Sequence, residues 1–322
     1  MKKVTVIGGG TGTFVVLSGL KKYPLDLGVI VSMMDSGGST GKLRDQLGVL
    51  PPGDLRQCLV ALSEAPMLWR KLFLYRFENG DLGGHNFGNI FISALEKVSK
   101  NYSEVVKTAA YVLKTKGQVI PVTFEKTHLC VEYENGKFLK GEGNIDENHL
   151  EISRIKNAYL DPDVNANPEA IERIMKSDFI IVGPGDLYTS IIPVLLTNGI
   201  KNAIKKSRAK IIYILNLMTK SGQTVGYRAS DHVNDLKRYL GCDINIVVAN
   251  KGRIPASVVN WYESQHEHVV ANDLPQAIEA DMVDRKIFMK SNREKIADPL
   301  VRSIIRHNPQ KLAKILLKII YA

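Results

Sequence analysis

Several short runs in this chain have the composition of anion-binding turns. The first, Gly8-Gly9-Gly10-Thr11-Gly12-Thr13, follows an apolar run at residues 4–7 and precedes Phe14, Leu17 and Leu20 at helical spacing. Glycines there let the backbone approach a phosphate, and the free N–H groups of the following helical turn point at the anion. Thr13 stands where a dinucleotide fingerprint has its third glycine, so an ordinary NAD site is disfavoured. The expectation is a phosphate seat on Gly9, Gly10, Thr11, Gly12 and Thr13.

A second run, Asp35-Ser36-Gly37-Gly38-Ser39-Thr40-Gly41-Lys42-Leu43-Arg44, begins 23 residues beyond Gly12, about where a dinucleotide unit places its ribose-binding acid. The Asp35 carboxylate is also suited to a Mg²⁺ ion facing a phosphate. The run misses a Walker A loop twice, at Ser36 for the first glycine and at Leu43 for Ser or Thr, which excludes a P-loop ATPase. What remains is a second anion-binding turn over Gly37, Gly38 and Ser39, with Lys42 and Arg44 as spare positive charge.

In Pro51-Pro52-Gly53-Asp54-Leu55-Arg56, Asp54 either caps the helix carrying Leu59 and Leu62 or belongs to the site. Asn86 and Asn89, in Gly83-Gly84-His85-Asn86-Phe87-Gly88-Asn89, either cap a helix or offer amides to a base or sugar. Gly183-Pro184-Gly185-Asp186 repeats the strand–turn–helix pattern of the first run, and two such turns at the carboxyl ends of one sheet suit a diphosphate. Asn216 and Thr219, in the loop that follows a further strand, are expected to line the same crevice. Asp231-His232 reads better as helix start than as acid/base pair, and His266-Glu267-His268 as surface loop rather than metal site. No nucleophile elbow, zinc spacing or kinase set occurs, so nothing suggests covalent catalysis.

The elements that must hold these turns are short β-branched runs alternating with helical patterns, the sign of a Rossmann-like, mainly parallel α/β core. Strands are expected at residues 4–7, 27–34, 179–182, 211–215 and 244–249. A stretch at residues 118–155 around Asn135-Gly136 reads as a β-rich, hairpin insertion. Asn308, Pro309 and Leu312, Ile315, Leu316, Ile319 mark a final helix.

The chain's 322 residues, 44% hydrophobic and 24% charged, are ample for a core, and no linker divides them; one domain over residues 1–322 is expected. Of the net charge of +10, eight units lie in the basic segment 285–322, which favours anionic partners. No nucleic-acid recognition module accompanies that charge, so nucleic acid is not the expected partner. Three scattered cysteines, no signal peptide and no membrane-spanning run point to the cytoplasm.

Taken in order, GGGTGT, DSGGSTGKLR, PPGDLRQCLVALS, NFGN, VGPGDLYTSIIP and NLMTKSGQT resemble the CofD-like superfamily, specifically its bacterial YvcK branch. The resemblance implies a Rossmann-like protein related to 2-phospho-L-lactate transferase, an enzyme that uses Mg²⁺ and a guanosine-diphosphate-linked substrate. For the branch itself it implies a regulatory factor of gluconeogenic growth and cell shape, which binds UDP-sugars such as UDP-N-acetylglucosamine and signals to a cell-wall or metabolic protein. By this likeness Tyr262 and Arg306 contact the nucleotide sugar; an aromatic ring can stack on uracil and an arginine can hold a diphosphate.

Two departures matter. Relatives often have Asp-Asp where this chain has Asp35-Ser36, and many have Glu where Gln223 stands. Loss of acidic ligands argues against phosphoryl-type transfer. No cofactor is then required; in the alternative, a transferase, Asp35 and Asp54 hold Mg²⁺. GGGTGT is also similar to the tubulin-type GTPase loop, but that loop lies well inside its domain rather than after the first strand. The oligomeric state stays open, a homodimer included.

Overall fold

The computed structural model describes residues 1–285 and 304–322. The chain opens with β1 (Lys3–Gly8), α1 (Gly10–Leu20) and β2 (Asp26–Val31), then runs through α2 (Gly38–Leu47), α3 (Gly53–Leu62), α4 (Met67–Leu74), α5 (Phe87–Val98) and α6 (Tyr102–Val112) to β3 (Gln118–Pro121). An insertion of β4 (His128–Tyr133), β5 (Phe138–Lys140), α7 (Glu142–Asp146) and β6 (Ile155–Asp161) follows. After α8 (Pro168–Met175) come β7 (Phe179–Val182), a π-helical turn (Leu187–Ile191), α9 (Ile192–Leu196) and α10 (Ile200–Lys206). The remainder is β8 (Lys210–Ile214), α11 (Ala229–Leu240), β9 (Ile246–Asn250), α12 (Ala256–Glu263), β10 (Ile278–Ala280) and α13 (Pro309–Tyr321).

Among the described residues, seven strands form one sheet in the order β10-β9-β8-β7-β1-β2-β3, every neighbour parallel. Helices cover its faces, which is why β1 and β7 read as nearly unbroken apolar runs: Val4, Val6, Ile7, Ile180, Ile181 and Val182 are fully buried. Strand order reverses between β1 and β7, because β1, β2 and β3 step one way and β7 to β10 the other. The loops leaving those two strands therefore diverge, and the sheet has its ligand-type crevice there.

The hairpin reading of residues 118–155 needs correction. Residues 118–121 pair in parallel with β2, from Gly28↔Gln118 to Val31↔Pro121, and form the edge of the main sheet. Only β4, β5 and β6 make the separate antiparallel sheet, and Gly136, at φ +82°, turns β4 into β5. The run at 27–34 also stops early: β2 ends at Val31, and Ser32 Oγ accepts the Met34 N–H at 3.3 Å, bending the chain towards Asp35.

Helix α13 starts as expected. Asn308 Oδ1 accepts the N–H groups of Gln310 and Lys311, both at 3.0 Å, and Pro309 needs no partner. Its buried side chains, Leu312, Ala313, Leu316 and Ile320, fall on one face. That face lies on α1, at Gly19, where a Cβ would stand 2.3 Å from the Pro309 carbonyl oxygen. Lys286, Lys290, Arg293, Lys295 and Arg302 of the basic segment lie outside the described residues. Among the described residues no helix is long and apolar enough to cross a membrane.

Candidate functional site

A cleft of about 470 Å³ opens at the carboxyl ends of β1 and β7. Its floor is the first glycine turn: Gly9, Gly10, Thr11 and Gly12 line it, and α1 starts there with no side-chain cap. Two of these glycines have a packing reason that their phosphate-loop look conceals. A Cβ on Gly9 would lie 2.1 Å from Asp54 Oδ2, and one on Gly12 would lie 2.0 Å from the Pro184 carbonyl oxygen. The turn is thin because a carboxyl and the second glycine turn press against it.

Asp54 is not an N-cap; Pro52 holds that position. The Asp54 side chain is buried, points across to α1 and accepts the Gly10 N–H on Oδ1 at 2.8 Å. Burial first, and the neighbouring Asp35 charge second, raise its pKa to about 8. Asp35 lines the cleft above Gly53 and accepts the Gly37 N–H at 3.0 Å. A third acid arrives from the insertion: Glu142 lies in the cleft and accepts the Ser36 N–H at 3.1 Å, while Ser36 Oγ accepts the Gly143 N–H at 2.8 Å. Burial, with the Asp35 charge beside it, holds the Glu142 carboxyl well above the usual carboxylate range. The acid missing at Ser36 in the primary sequence is thus replaced in space by one 106 residues away.

The second glycine turn sits opposite. Gly185 and Asp186 line the cleft, and Asn216 clamps the Gly185 peptide by donating Nδ2 to its carbonyl (2.9 Å) and accepting its N–H on Oδ1 (3.3 Å). Thr219 clamps the next loop, its Oγ1 accepting the His268 N–H at 2.8 Å. That loop is not wholly surface: Glu267 is buried, lines the cleft and lies 3.7 Å from the Lys220 Nζ. Gly37, Gly38, Ser39 and Asn89 line the β2 side of the cleft, where Asn89 Oδ1 accepts the Arg56 Nε–H at 2.7 Å.

Other expected residues do not reach the cleft wall. Thr13 is fully buried and donates its hydroxyl back to Gly9 O, as a helical threonine does. Asn86 caps α5 by accepting the Asn89 N–H and donates Nδ2 to Tyr75 O. Gly183, at φ +72°, shapes the turn beneath it. Arg44 pairs with Asp45 at 2.9 Å rather than standing as spare charge for the cleft. His232 is fully buried against Tyr227, and Asp231 faces Arg154 at 3.0 Å, so the two form no acid/base pair.

Tyr262 and Arg306 both line the cleft, on the β8–β9 side. The tyrosine is only 2% exposed, and its hydroxyl accepts the Ile305 N–H at 3.2 Å. Its ring packs with Leu217, Met218, Val258 and Ile305, so it supports the segment that carries Arg306 rather than offering an open face. Arg56, Arg76, Glu142, Lys220, Glu267 and His307 also line the cleft, and sequence reasoning did not assign them to the site. Arg56 and Lys220 stood inside recognised motifs, PPGDLRQCLVALS and NLMTKSGQT, and Glu267 in the His266-Glu267-His268 run read as surface loop; Arg76, Glu142 and His307 lie outside the motifs named above.

As a metal site the carboxyl group is sparse. Among the described residues no set of three or more His, Cys, Asp or Glu is arranged to hold an ion. Asp35 and Asp54 are two carboxyls close enough to perturb one another, which suffices for Mg²⁺ where ligand phosphates complete the shell.

The family model for 2-phospho-L-lactate transferase CofD matches residues 4–288. The chain belongs to the CofD family. This CofD-family chain is 41% identical over 319 residues to a putative gluconeogenesis factor of Thermotoga maritima, covering 98% of the chain and 99% of that protein. It is 36% identical to the gluconeogenesis factor of Bacillus subtilis, covering 99% and 98%. A crystal structure of a UPF0052-family protein from Bacillus halodurans superposes with TM-score 0.88 at 36% identity, covering 98% of this chain and all of that one.

Proposed function

We propose that the cleft binds a nucleotide sugar of the UDP-N-acetylglucosamine kind and that the protein is a cytoplasmic regulatory factor, coupling gluconeogenic growth to cell-wall synthesis and cell shape through a protein partner. One observation carries this reading: two glycine turns meet at the strand-order reversal, with the start of α1 between them. A diphosphate placed there meets backbone N–H dipoles from α1. Asp54 opposes it less than a free carboxylate would, since its burial and the Asp35 charge beside it favour the protonated carboxyl, which can donate to a phosphate oxygen. Arg306 supplies charge from the β8–β9 side, and Tyr262 holds it there through Ile305.

The grouping of Asp35, Asp54 and Glu142 supports a second reading, a Mg²⁺-dependent transferase acting on a nucleoside-diphosphate-linked substrate. Asp35 and Asp54 would hold the ion, which when bound supplies charge neutralisation to the diphosphate. The chain's own part would be to orient the phosphates on the glycine turns.

Calorimetric titration with UDP-N-acetylglucosamine, with and without Mg²⁺, separates the two. The binding reading expects metal-independent affinity, lost in Arg306→Ala, and no nucleoside monophosphate after long incubation. Affinity that requires Mg²⁺ and vanishes in Asp35→Asn, or release of nucleoside monophosphate, moves the assignment to the transferase. No heat under either condition sinks both.

A further inference from the structure

On the β2 side of the cleft lies a guanidinium whose environment is unusual. Arg56 is 5% exposed, yet it donates only to neutral acceptors, from Nε to Asn89 Oδ1 (2.7 Å) and from Nη1 to Phe73 O (3.3 Å). Among the described residues no carboxylate comes within ion-pair distance of it; Asp35 and Asp54 act on it only from further away. A second cation, Arg76, lines the same part of the cleft and donates Nη1 to Gly84 O at 2.6 Å.

Burying a charge without a counter-charge is costly, and placing a like charge beside it adds to that cost. Burial and the nearby Arg76 push Arg56 down to about 10, still fully charged at neutral pH. The fold nevertheless makes room for it. Gly88 lacks the Cβ that would stand 2.6 Å from Arg56 Cδ, so α5 passes close over the side chain. A purely structural cross-link of α3 to α5 would be served by a neutral side chain with no desolvation cost.

We infer that Arg56, with Arg76 beside it, forms an anion subsite distinct from the glycine turns, taking a carboxylate or phosphate on the β2 side of the cleft. The guanidinium fork matches either group. The inference rests on the nucleotide-binding reading for what occupies the rest of the cleft. Its anion comes either tethered to the nucleotide's non-nucleoside end or as a free co-ligand.

UDP-glucose and UDP-glucuronate make the test, because they differ by one carboxylate at the sugar. With the tethered source, the wild-type chain binds UDP-glucuronate tighter by about tenfold or more, the value of one charge-assisted contact, and Arg56→Gln lowers UDP-glucuronate affinity until the two sugars bind alike. With the free source, the two sugars bind alike, but inorganic phosphate titrates into the UDP-glucose complex and Arg56→Gln abolishes that second event. Arg76→Gln, on a more exposed loop residue, reports the same contrasts should Arg56→Gln fail to fold. Equal sugars with no phosphate event overturn the subsite. So does an equal loss of both sugars in the variants, which would make the arginines ligands of the diphosphate. If neither nucleotide binds the wild type, the nucleotide reading fails separately, and phosphate binding to the free protein, lost in Arg56→Gln, still decides the subsite.

Discussion

An alanine at position 12 would set its Cβ 2.0 Å from the Pro184 carbonyl oxygen, a rigid backbone atom. An alanine at 38 would meet nothing within 4 Å, and its only difficulty is the φ of +47°. Gly12→Ala should therefore cost about 2 kcal/mol or more through overpacking, and Gly38→Ala about 1 kcal/mol through backbone strain alone. Urea unfolding of the two variants checks the order, and equal losses would refute the close approach of the two glycine turns. Tyr262 makes a parallel case. If it works through Ile305, Tyr262→Phe leaves a buried N–H unpaired, costs about 1–3 kcal/mol of stability and weakens nucleotide-sugar binding. A phenylalanine variant with unchanged affinity and stability would show that the hydroxyl does nothing for the Arg306 segment.

Among the elements, α13 is the one whose boundary governs the site, since Arg306 lies just before its cap. Asn308→Ala removes an acceptor for two N–H groups and should destabilise the chain by about 1 kcal/mol. Thermal unfolding measures that loss, and calorimetry should show weaker ligand affinity with it. This helix was legible because cap, proline and apolar period agree at consecutive positions. The strands β1, β7 and β8 were legible to within a residue or so, as buried β-branched runs flanked by turns are. Residues 118–121 were misassigned to the hairpins because a four-residue strand carries too little alternation to show which sheet it joins. The three-residue β10 has the same difficulty at the other edge. Glu142 could not be read as a site residue at all. Only the packing of the insertion on the Ser36 loop brings it into the cleft, and spacing in sequence contains no trace of that contact.

For the molecule as a whole, two buried imidazoles set a limit on acid tolerance. Burial lowers His232 and His307 to about 4, below the 6.5 of the exposed ring. Between those values the unfolded chain binds protons that the folded chain refuses, so stability is full above pH 6.5 and falls as pH drops towards 4. Each site contributes about 3 kcal/mol at the low end of that window. His232→Phe should flatten the urea midpoint profile between pH 6.5 and 4 by about one proton's worth of slope. A profile as steep as that of the wild type would mean that His232 is not buried as a neutral ring.

Helix α1 and the helix that covers it are separated by nearly 290 residues of chain. A ribosome adding about 5–20 residues per second delivers the cover some 15–60 s after α1 has emerged. Through that interval the groove around Gly19 is without its partner, and the Arg306 side of the cleft does not yet exist. Nascent chains stalled before residue 309 should thus engage chaperones through α1 and fail to retain nucleotide, even with both glycine turns already synthesised. The order in which the chain is made, and not only its final packing, fixes when the cleft is first complete.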